Sequence, residues 1–307
     1  MSADFTSSEA EPGIKETEGT EEPESPRVER RPARAERPEL FAAARNKLSS
    51  VEAANVWWSR LTFSSPRLNA LCAWGERSPG AAWVEVCTRR IRHVHGLDRI
   101  PPLDRIGSFV LVANHRSYFD LYVISMILFR AGLRRRILYP VRSGFFYDNP
   151  LGFLVNGAMS FWSMYPPIFR DKKRAVLNHT ALSEVIWALK NSRVAAGIHP
   201  EGTRNHGDDP YSLLPPQSGV GRVIHESRVP VIPVFINGLG NRLPSQILGN
   251  FTGRGRRVHV VFGAPVEFGE LLDEPATAKA FRSLAEKAHA AIRVLGEEER
   301  RIREADP

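Results

Sequence analysis

Hydrophobic and polar positions change their spacing along the chain at about residue 105. Beyond it, short runs of β-branched and other apolar residues alternate with stretches in which apolar residues recur at helical spacing. The short runs predict strands over residues 108–113, 136–141, 193–198, 229–236 and 257–263. Helices are predicted to start near Tyr118 and to cover residues 172–190 and 276–295. This alternation is typical of an α/β fold, in which a mostly parallel sheet is flanked by helices.

The N-terminal part of the chain has a different pattern. Residues 1–38 are rich in Glu, Pro, Ser and Arg and hold almost no large apolar side chains, which predicts a disordered tail. Residues 40–63 have the pattern of one amphipathic helix or two short ones, and another helix is predicted over 81–94, after the breaker SPG. The chain is therefore divided into a disordered tail (1–38), an N-terminal helical region (39–95) and an α/β domain (96–300).

Charge is distributed unevenly along the chain. Residues 1–26 hold eight acidic side chains and one lysine, a net charge of −7. Because the whole chain carries +8, residues 27–307 carry +15. A body this basic favours anionic partners such as phosphate groups, acidic lipids, an acidic carrier protein or nucleic acid. The alternative is a scattered basic surface that only keeps the protein in solution.

No segment of the sequence has the length and polarity of a membrane-spanning helix. The apolar stretch LYVISMILF (121–129) has nine residues, whereas a spanning helix needs about 20. The N-terminus is acidic and has no apolar core, so no signal peptide is expected. Cys72 and Cys87 lie fifteen positions apart and show no metal-ligand spacing, which indicates reduced thiols of a cytosolic protein.

One predicted strand ends directly at a histidine. The stretch VANHRSYFD (112–120) places His115 just after the strand and Asp120 five residues later. Inside one regular helix these two side chains would point about 140° apart. They can meet if His115 lies in the turn that leaves the strand and Asp120 lies in the first turn of the next helix. A second pair with the same spacing, His93 and Asp98, has no predicted strand exit around it.

A histidine and an aspartate in this arrangement can act as a general base and the group that orients it. The aspartate accepts one ring N–H and fixes the tautomer, and the other ring nitrogen takes a proton from a hydroxyl. No serine or cysteine stands out as a nucleophile, so the hydroxyl would belong to a substrate. Backbone N–H groups near the start of the helix are the candidate donors to an oxyanion. The alternative is a capped helix with a hydrogen-bonded histidine.

A second polar segment, HPEGTRN (199–205), also follows a predicted strand directly. It combines a glycine, a hydroxyl and a guanidinium, whose planar fork matches the oxygens of a phosphate. Backbone N–H groups of such a turn add to phosphate binding. The alternative is a tight turn that carries an Arg–Glu pair on the surface.

Together, NHRSYFD and, about 80 residues later, HPEGTR resemble the sequence blocks of the glycerolipid acyltransferase family, typified by 1-acylglycerol-3-phosphate acyltransferases. Two further blocks of that family are matched in order, by YPPIFRD (165–171) and by VPVIPV (229–234) with Pro233. The match covers roughly residues 85–270. It implies a sheet flanked by helices, attachment to a membrane surface, and no metal or bound cofactor.

The resemblance also implies roles for particular residues. His115 is the implied general base and Asp120 its partner. The residues implied to bind the phosphate-bearing acceptor are Arg170, Glu201, Gly202, Thr203 and Arg204. The chain departs from the family pattern at His199, where many relatives have Phe, and at PPQSG (215–219), where many have Phe-Lys-Lys-Gly.

The reaction implied by this resemblance is transfer of a fatty acyl group from a thioester, on coenzyme A or acyl carrier protein, to a lysophospholipid hydroxyl. The first candidate acceptor is 1-acyl-glycerol-3-phosphate, which would give phosphatidic acid. Alternatives are glycerol-3-phosphate or another lyso-lipid as acceptor, and a non-catalytic lipid- or phosphate-binding relative. A nucleic-acid-binding protein is a further alternative, but no nucleic-acid-binding motif supports it.

We expect a peripheral protein on the cytoplasmic face of a membrane. Residues 40–63 combine aromatic and basic side chains, as helices at a membrane interface do. The aromatic clusters at 145–153 and 161–165 are candidates for a path that holds an acyl chain. The alternative is that these aromatic residues pack the core.

Overall fold

The computed structural model describes residues 37–44 and 46–305. Its helices are α1 (Leu40–Ala44), α2 (Ser50–Ser64), α3 (Pro66–Gly75), α4 (Ala81–Thr88), α5 (Asp120–Arg130), α6 (Ser143–Phe146), α7 (Pro150–Ser160), α8 (Leu177–Asn191), α9 (Ser218–Ser227), α10 (Leu243–Thr252) and α11 (Ala278–Ala305). Its strands are β1 (Arg92–His95), β2 (Phe109–Ala113), β3 (Ile137–Leu138), β4 (Val141–Arg142), β5 (Pro167–Ile168), β6 (Ala195–Ile198), β7 (Val231–Asn237) and β8 (Val258–Phe262). The predicted disordered tail lies almost entirely outside the described residues, so it stays a prediction.

A six-stranded sheet forms the centre of the fold. Its strand order is β1-β8-β7-β2-β6-β3, and every neighbouring pair is parallel except β7 and β8, which are antiparallel. Strands β4 and β5 form a separate parallel pair. The predicted α/β fold with a mostly parallel sheet and N-terminal helices is confirmed.

The two faces of the sheet are covered by different helices. Strand β2 is buried along its whole length, and its residues alternate between two hydrophobic cores. Val110 and Val112 belong to a core with α8, α9 and α11, whereas Phe109 and Leu111 belong to a core with α4 and α5. Because successive side chains of a strand point to opposite faces, the result is a sandwich of helices, sheet and helices.

Strand β1 corrects the helix predicted over residues 81–94. Helix α4 ends at Thr88, and β1 pairs in parallel with β8 from Arg92, opposite Val258, to His95, opposite Val261. Residues 92–95, which the sequence pattern places in the N-terminal helical region, thus belong to the central sheet. Its partner lies far along the chain, so local helical spacing could not indicate this pairing.

Other predicted elements are present with shifted ends. The predicted strand 136–141 is two short strands in different sheets, because Pro140 lies between them and has no N–H to donate to a ladder. Residues 40–63 form two helices, α1 and α2. Within the described part of the chain, none of the helices combines the length and the apolar character needed to cross a membrane.

Candidate active site

His115 and Asp120 lie at the carboxyl end of β2, where the chain turns into α5. The side chain of Asn114 fixes the start of this turn. Its Nδ2 donates to the carbonyl oxygen of Ile236 at 2.9 Å, and its Oδ1 accepts the N–H of Ile236 at 2.8 Å. Since Ile236 belongs to β7, this buried amide extends the pairing of β2 with β7. His115 is thereby presented at the edge of the sheet where α/β proteins bind ligands.

One oxygen of Asp120 binds three donors. Oδ2 lies 3.2 Å from Nδ1 of His115, and it accepts the backbone N–H groups of Arg116 at 2.7 Å and Ser117 at 2.8 Å. The chain thus folds back between the histidine and the aspartate, and the predicted contact between them is confirmed. Because Nδ1 faces the carboxylate, Nε2 is the nitrogen left to act on a substrate.

Burial shifts the pKa of both members of this pair. It lowers the pKa of His115 to about 4, and the positive charge of Arg204 acts in the same direction. Burial also raises the pKa of Asp120 to about 6, against the opposing effects of His199 and the N–H groups of the turn. At neutral pH the pair is therefore a neutral imidazole beside a carboxylate, the state in which a histidine can accept a proton.

The segment 199–205 holds the backbone of His115 from both sides. Oε1 of Glu201 accepts the N–H of His115 at 3.0 Å, and the N–H of Asn205 donates to the carbonyl oxygen of His115 at 2.8 Å. The second oxygen of Glu201 accepts the N–H of Leu214 at 2.9 Å, and the residue is only 2% exposed. A buried carboxylate with both oxygens occupied does not meet a phosphate. Glu201 therefore has a positioning role, in place of the acceptor contact expected from the sequence.

Arg204 lies beside the histidine, close enough to lower its pKa. Its guanidinium carbon is 3.8 Å from the centre of the Tyr118 ring, which is largely exposed. Nη1 of Arg204 donates to Oδ1 of Asn241 at 3.2 Å. These contacts hold a positive charge next to the imidazole, as the sequence predicts.

The turn around Gly202 lies next to the second predicted arginine. Arg170 donates through Nη2 to the carbonyl oxygen of Gly202 at 2.9 Å. Gly202 has a φ of 65°, in the left-handed region that favours glycine. Thr203 follows with its side chain exposed. The structure therefore gathers Arg170, Thr203 and Arg204 around one exposed turn.

The N–H groups predicted to stabilise an oxyanion are engaged elsewhere. The first two N–H groups of the turn bind Asp120, as described above. That of Tyr118 donates to Oδ1 of Asn241 at 3.2 Å, and that of Phe119 donates to the hydroxyl of Ser117 at 3.2 Å. These four N–H groups therefore hold the aspartate and the turn itself, and donors to an oxyanion nearer the start of helix α5 stay a prediction.

The second His-x4-Asp pair of the sequence is arranged differently. His93 lies inside β1 and stacks on His259, with ring centres 4.9 Å apart. Asp98 lies in a short 3₁₀ turn that follows Gly96. The strand exit and fold-back that join His115 to Asp120 distinguish the first pair from the second.

Comparison with known proteins supports the resemblance seen in the sequence. A family model described as Acyltransferase matches residues 91–237. The chain is 28% identical over 144 residues to the 1-acyl-sn-glycerol-3-phosphate acyltransferase alpha of Mus musculus, an alignment that covers 47% of this chain and 44% of that protein. It is 24% identical over 148 residues to the 1-acyl-sn-glycerol-3-phosphate acyltransferase of Escherichia coli strain K12, covering 47% of this chain and 53% of that protein.

The chain is similar to this acyltransferase family over residues 91–237, a little under half of its length. It spans about half the length of the curated relatives that it matches. The chain also matches the crystal structure of the 1-acyl-sn-glycerophosphate acyltransferase from Thermotoga maritima. The superposition covers 85% of this chain and 93% of that one, with 19% sequence identity and a TM-score of 0.47.

In this chain, a second histidine stacks on His115. The ring centres of His115 and His199 are 3.8 Å apart, and the rings are 8° from parallel. Nδ1 of His199 lies 2.9 Å from the carbonyl oxygen of Ala113, so this nitrogen carries the proton. The sequence marks His199 only as a departure from the Phe of many relatives. Its contact with His115 appears only in three dimensions.

Three side chains of the site lie close enough to share a metal ion. One ligand atom each of His115, Asp120 and His199 lies within 4.8 Å of the others, and Oδ1 of Asp120 is buried without a hydrogen-bond partner. A metal needs ligand lone pairs that point to one place. The lone pairs of two stacked imidazoles lie in two separate, parallel planes, so the present ring arrangement does not fit a shared ion. The absence of a metal at this site stays a prediction.

The positioning role of Glu201 predicts a loss of stability in Glu201→Gln. A carboxamide offers one oxygen, so it cannot accept both the N–H of His115 and that of Leu214. One buried N–H then lacks an acceptor, which costs about 1–3 kcal/mol. Urea unfolding should show a lower midpoint with an unchanged slope. Glu267→Gln, at an exposed position, is the matched control, and equal midpoints for the two variants would contradict the role.

Proposed function

We propose that the protein transfers a fatty acyl group from an acyl thioester to the free hydroxyl of a lysophospholipid, with 1-acyl-glycerol-3-phosphate as the simplest acceptor. The observation that carries this proposal is the pair of His115 and Asp120 with the guanidinium of Arg204 beside it. It supplies a base for a hydroxyl and a cation for a phosphate at one edge of the sheet. The match of residues 91–237 to the acyltransferase family model supports the same reaction type.

His115 is the general base of the proposed reaction. Nε2 takes the proton of the acceptor hydroxyl while the oxygen attacks the thioester carbonyl carbon. Asp120 accepts Nδ1–H and stabilises the imidazolium that forms. When the tetrahedral intermediate collapses, the carbon–sulfur bond breaks, and the imidazolium returns its proton to the leaving thiolate. The products are an ester and a free thiol of coenzyme A or acyl carrier protein.

Binding of the acceptor changes the pKa of the general base, His115. Arg204 is one of the causes that lower the pKa of His115 in the unliganded site. A phosphate that pairs with this guanidinium offsets its charge, so the pKa of His115 rises when the acceptor binds. A base is most effective when its pKa lies near the working pH. Phosphate binding and base strength are therefore coupled through Arg204.

Attachment to a membrane is proposed from the orientation of three helices. In α2 the buried residues are mainly polar, and in α7 they are small or polar; these are Glu52, Asn55, Val56, Ser59, Thr62, Gly152, Asn156, Gly157 and Ser160. The exposed residues of α2, α3 and α7 include large apolar ones, all at least half exposed: Trp57, Leu71, Trp74, Leu151 and Leu154. Single exposed apolar residues are ordinary, but helices that turn polar residues inward and large apolar residues outward suit a lipid surface.

Aromatic residues of the clusters at 145–153 and 161–165 pack against helix α2. The ring of Trp58 on α2 lies 6.4 Å from that of Phe153 on α7 and 5.6 Å from that of Trp162. We propose that α2, α3 and α7 dock on the cytoplasmic face of a membrane. The free thiols Cys72 and Cys87 agree with a reducing compartment.

Loss of the base should abolish acyl transfer in His115→Ala. We expect kcat to fall by about 10²–10⁴-fold, the usual contribution of a general base, with an unchanged circular dichroism spectrum. The kcat is measured as the transfer of labelled acyl groups from acyl-coenzyme A to 1-acyl-glycerol-3-phosphate. His93→Ala, from the other His-x4-Asp pair, is the control and should keep its activity. Near-normal transfer by His115→Ala would contradict the role of His115 as the general base.

Arg204→Ala should weaken acceptor binding more than it slows turnover. The lost charge-assisted contact with phosphate raises the acceptor KM by about tenfold or more. The KM for the acyl donor should stay within about twofold, by the same reasoning. Arg282→Ala removes an exposed positive charge on α11 and serves as the control. An unchanged acceptor KM in Arg204→Ala would remove the proposed phosphate role.

The docking surface predicts weaker liposome binding in the double variant Leu151→Ser/Leu154→Ser. Both leucines are more than 60% exposed, so their replacement should leave the fold intact. Loss of two leucine contacts with lipid should lower the partition coefficient by about tenfold or more. Val176→Ser/Val294→Ser is the matched control, because it changes two equally exposed apolar residues outside this surface, one just before α8 and one on α11. Equal sedimentation of both variants with vesicles would reject this surface.

A further inference from the structure

A cavity of about 190 Å³ lies next to Arg204, at the edge of the sheet that carries His115. Its polar lining comes from four strand ends, and the residues are Arg116, Asn205, His206, Asn237, Asn241 and Arg256. Strands β2, β6 and β7 are parallel and finish at this edge, and the antiparallel β8 starts there. A cavity that holds a single water needs only about 10–15 Å³, so this one has room for a group of several atoms.

The lining suits a ligand that is rich in hydroxyl groups and carries some negative charge. It contributes two guanidinium groups, three carboxamides and an imidazole, and none of the described residues that line it is acidic. A carboxamide both donates and accepts hydrogen bonds, as does a hydroxyl. Guanidinium groups donate to oxygens and favour anionic ones.

Arg256 is the lining group with the most free hydrogen-bonding capacity. It is exposed, and its hydrogen bond to Oδ1 of Asn237 is long, at 3.4 Å. Arg116 is instead occupied, because it donates to the carbonyl oxygens of Gly207 at 2.6 Å and Asp209 at 3.3 Å. Arg116 therefore builds the wall of the cavity, while Arg256 is available to a ligand.

Arg204 joins this cavity to the proposed catalytic centre. Its Nη1 donates to Asn241, and its Nη2 lies 3.4 Å from Nε2 of His206; both of these residues line the cavity. A phosphate held by Arg204 therefore has the cavity directly beside it. A phosphomonoester would end at Arg204, whereas a phosphodiester would continue into the cavity.

We propose that this cavity, the headgroup pocket, binds a polyol esterified to the phosphate of the acceptor. The pocket then makes the protein favour lysophospholipids with a hydroxyl-rich headgroup over 1-acyl-glycerol-3-phosphate. The inference rests on the proposed acyl transfer and narrows its acceptor. The carboxamide of Asn241 binds hydroxyl groups through Nδ2, because its Oδ1 already accepts from Arg204 and Tyr118. Arg256 binds them from the opposite strand end. Asn237 is buried and donates through Nδ2 to Glu299 at 3.1 Å, so it forms the wall of the pocket.

The kinetic test compares three acceptors with the same acyl chain: 1-acyl-glycerol-3-phosphate, lysophosphatidylethanolamine and lysophosphatidylinositol. The full-length protein should have its highest kcat/KM with lysophosphatidylinositol. Arg256→Gln should raise the KM for that acceptor by about tenfold, the effect of one lost contact to a charged donor, and leave the KM for 1-acyl-glycerol-3-phosphate within about twofold. Arg254→Gln is the matched control, since it removes an exposed arginine two residues away that does not line the pocket.

Several kinetic results would overturn the headgroup pocket while leaving acyl transfer intact. One is an equal KM change for all three acceptors, and another is the same change in Arg254→Gln. A rise confined to the KM for the acyl donor would assign the cavity to the donor instead. Highest activity with 1-acyl-glycerol-3-phosphate would also reject the preference for a polyol.

A binding measurement separates this inference from the proposed reaction. Isothermal titration calorimetry with glycerophosphoinositol and with glycerol 3-phosphate requires no turnover. We expect the wild type to bind glycerophosphoinositol at least about tenfold more tightly, and Arg256→Gln to lose most of this difference. Equal affinity of the wild type for the two compounds would overturn the headgroup pocket, even if acyl transfer itself were established.

Discussion

The site depends on the hydrogen bonds that converge on one oxygen of Asp120. The residue is 1% exposed, and a carboxylate buried to this degree is stable only when donors surround it. The turn after β2 supplies two of these donors from its backbone, and the ring of His115 supplies the third. One requirement, the satisfaction of a buried charge, therefore shapes the turn, starts helix α5 and orients the imidazole.

The second sequence block, residues 199–205, is a scaffold for the first as well as the proposed phosphate-binding segment. Glu201 and Asn205 hold the N–H and the carbonyl oxygen of His115. Between them the chain exposes Gly202 and Thr203, and Arg204 is half-buried. A fixed backbone on one side and an exposed turn on the other would place the phosphate of the proposed acceptor at a set distance from His115. This explains physically why two segments about 80 residues apart in sequence act as one site.

Sequence reasoning succeeded where the physical signal is local. Buried strands such as β2 and β7 are continuous apolar runs, and a polar motif at a strand end indicates a ligand edge. It failed where a distant partner decides the outcome. Strand β1 forms because β8 is beside it, and Glu201 is a structural carboxylate because two N–H groups from distant segments meet it. The headgroup pocket is assembled from four strand ends, so no single stretch of sequence could indicate it.

Helix α2 shows a further limit of periodicity. Its spacing separates an apolar face from a polar one, but spacing does not say which face meets the protein. The polar face is turned inward because it finds hydrogen-bonding partners there. Arg174 donates to Glu52 at 2.7 Å, and Asn55 donates to the carbonyl oxygen of Tyr147 at 3.0 Å. The opposite face leaves Trp57 half exposed, and apolar area in water costs about 25 cal/mol per Å². Buried polar side chains of α2 thus find partners within the protein, and a lipid surface would cover the exposed apolar side chains.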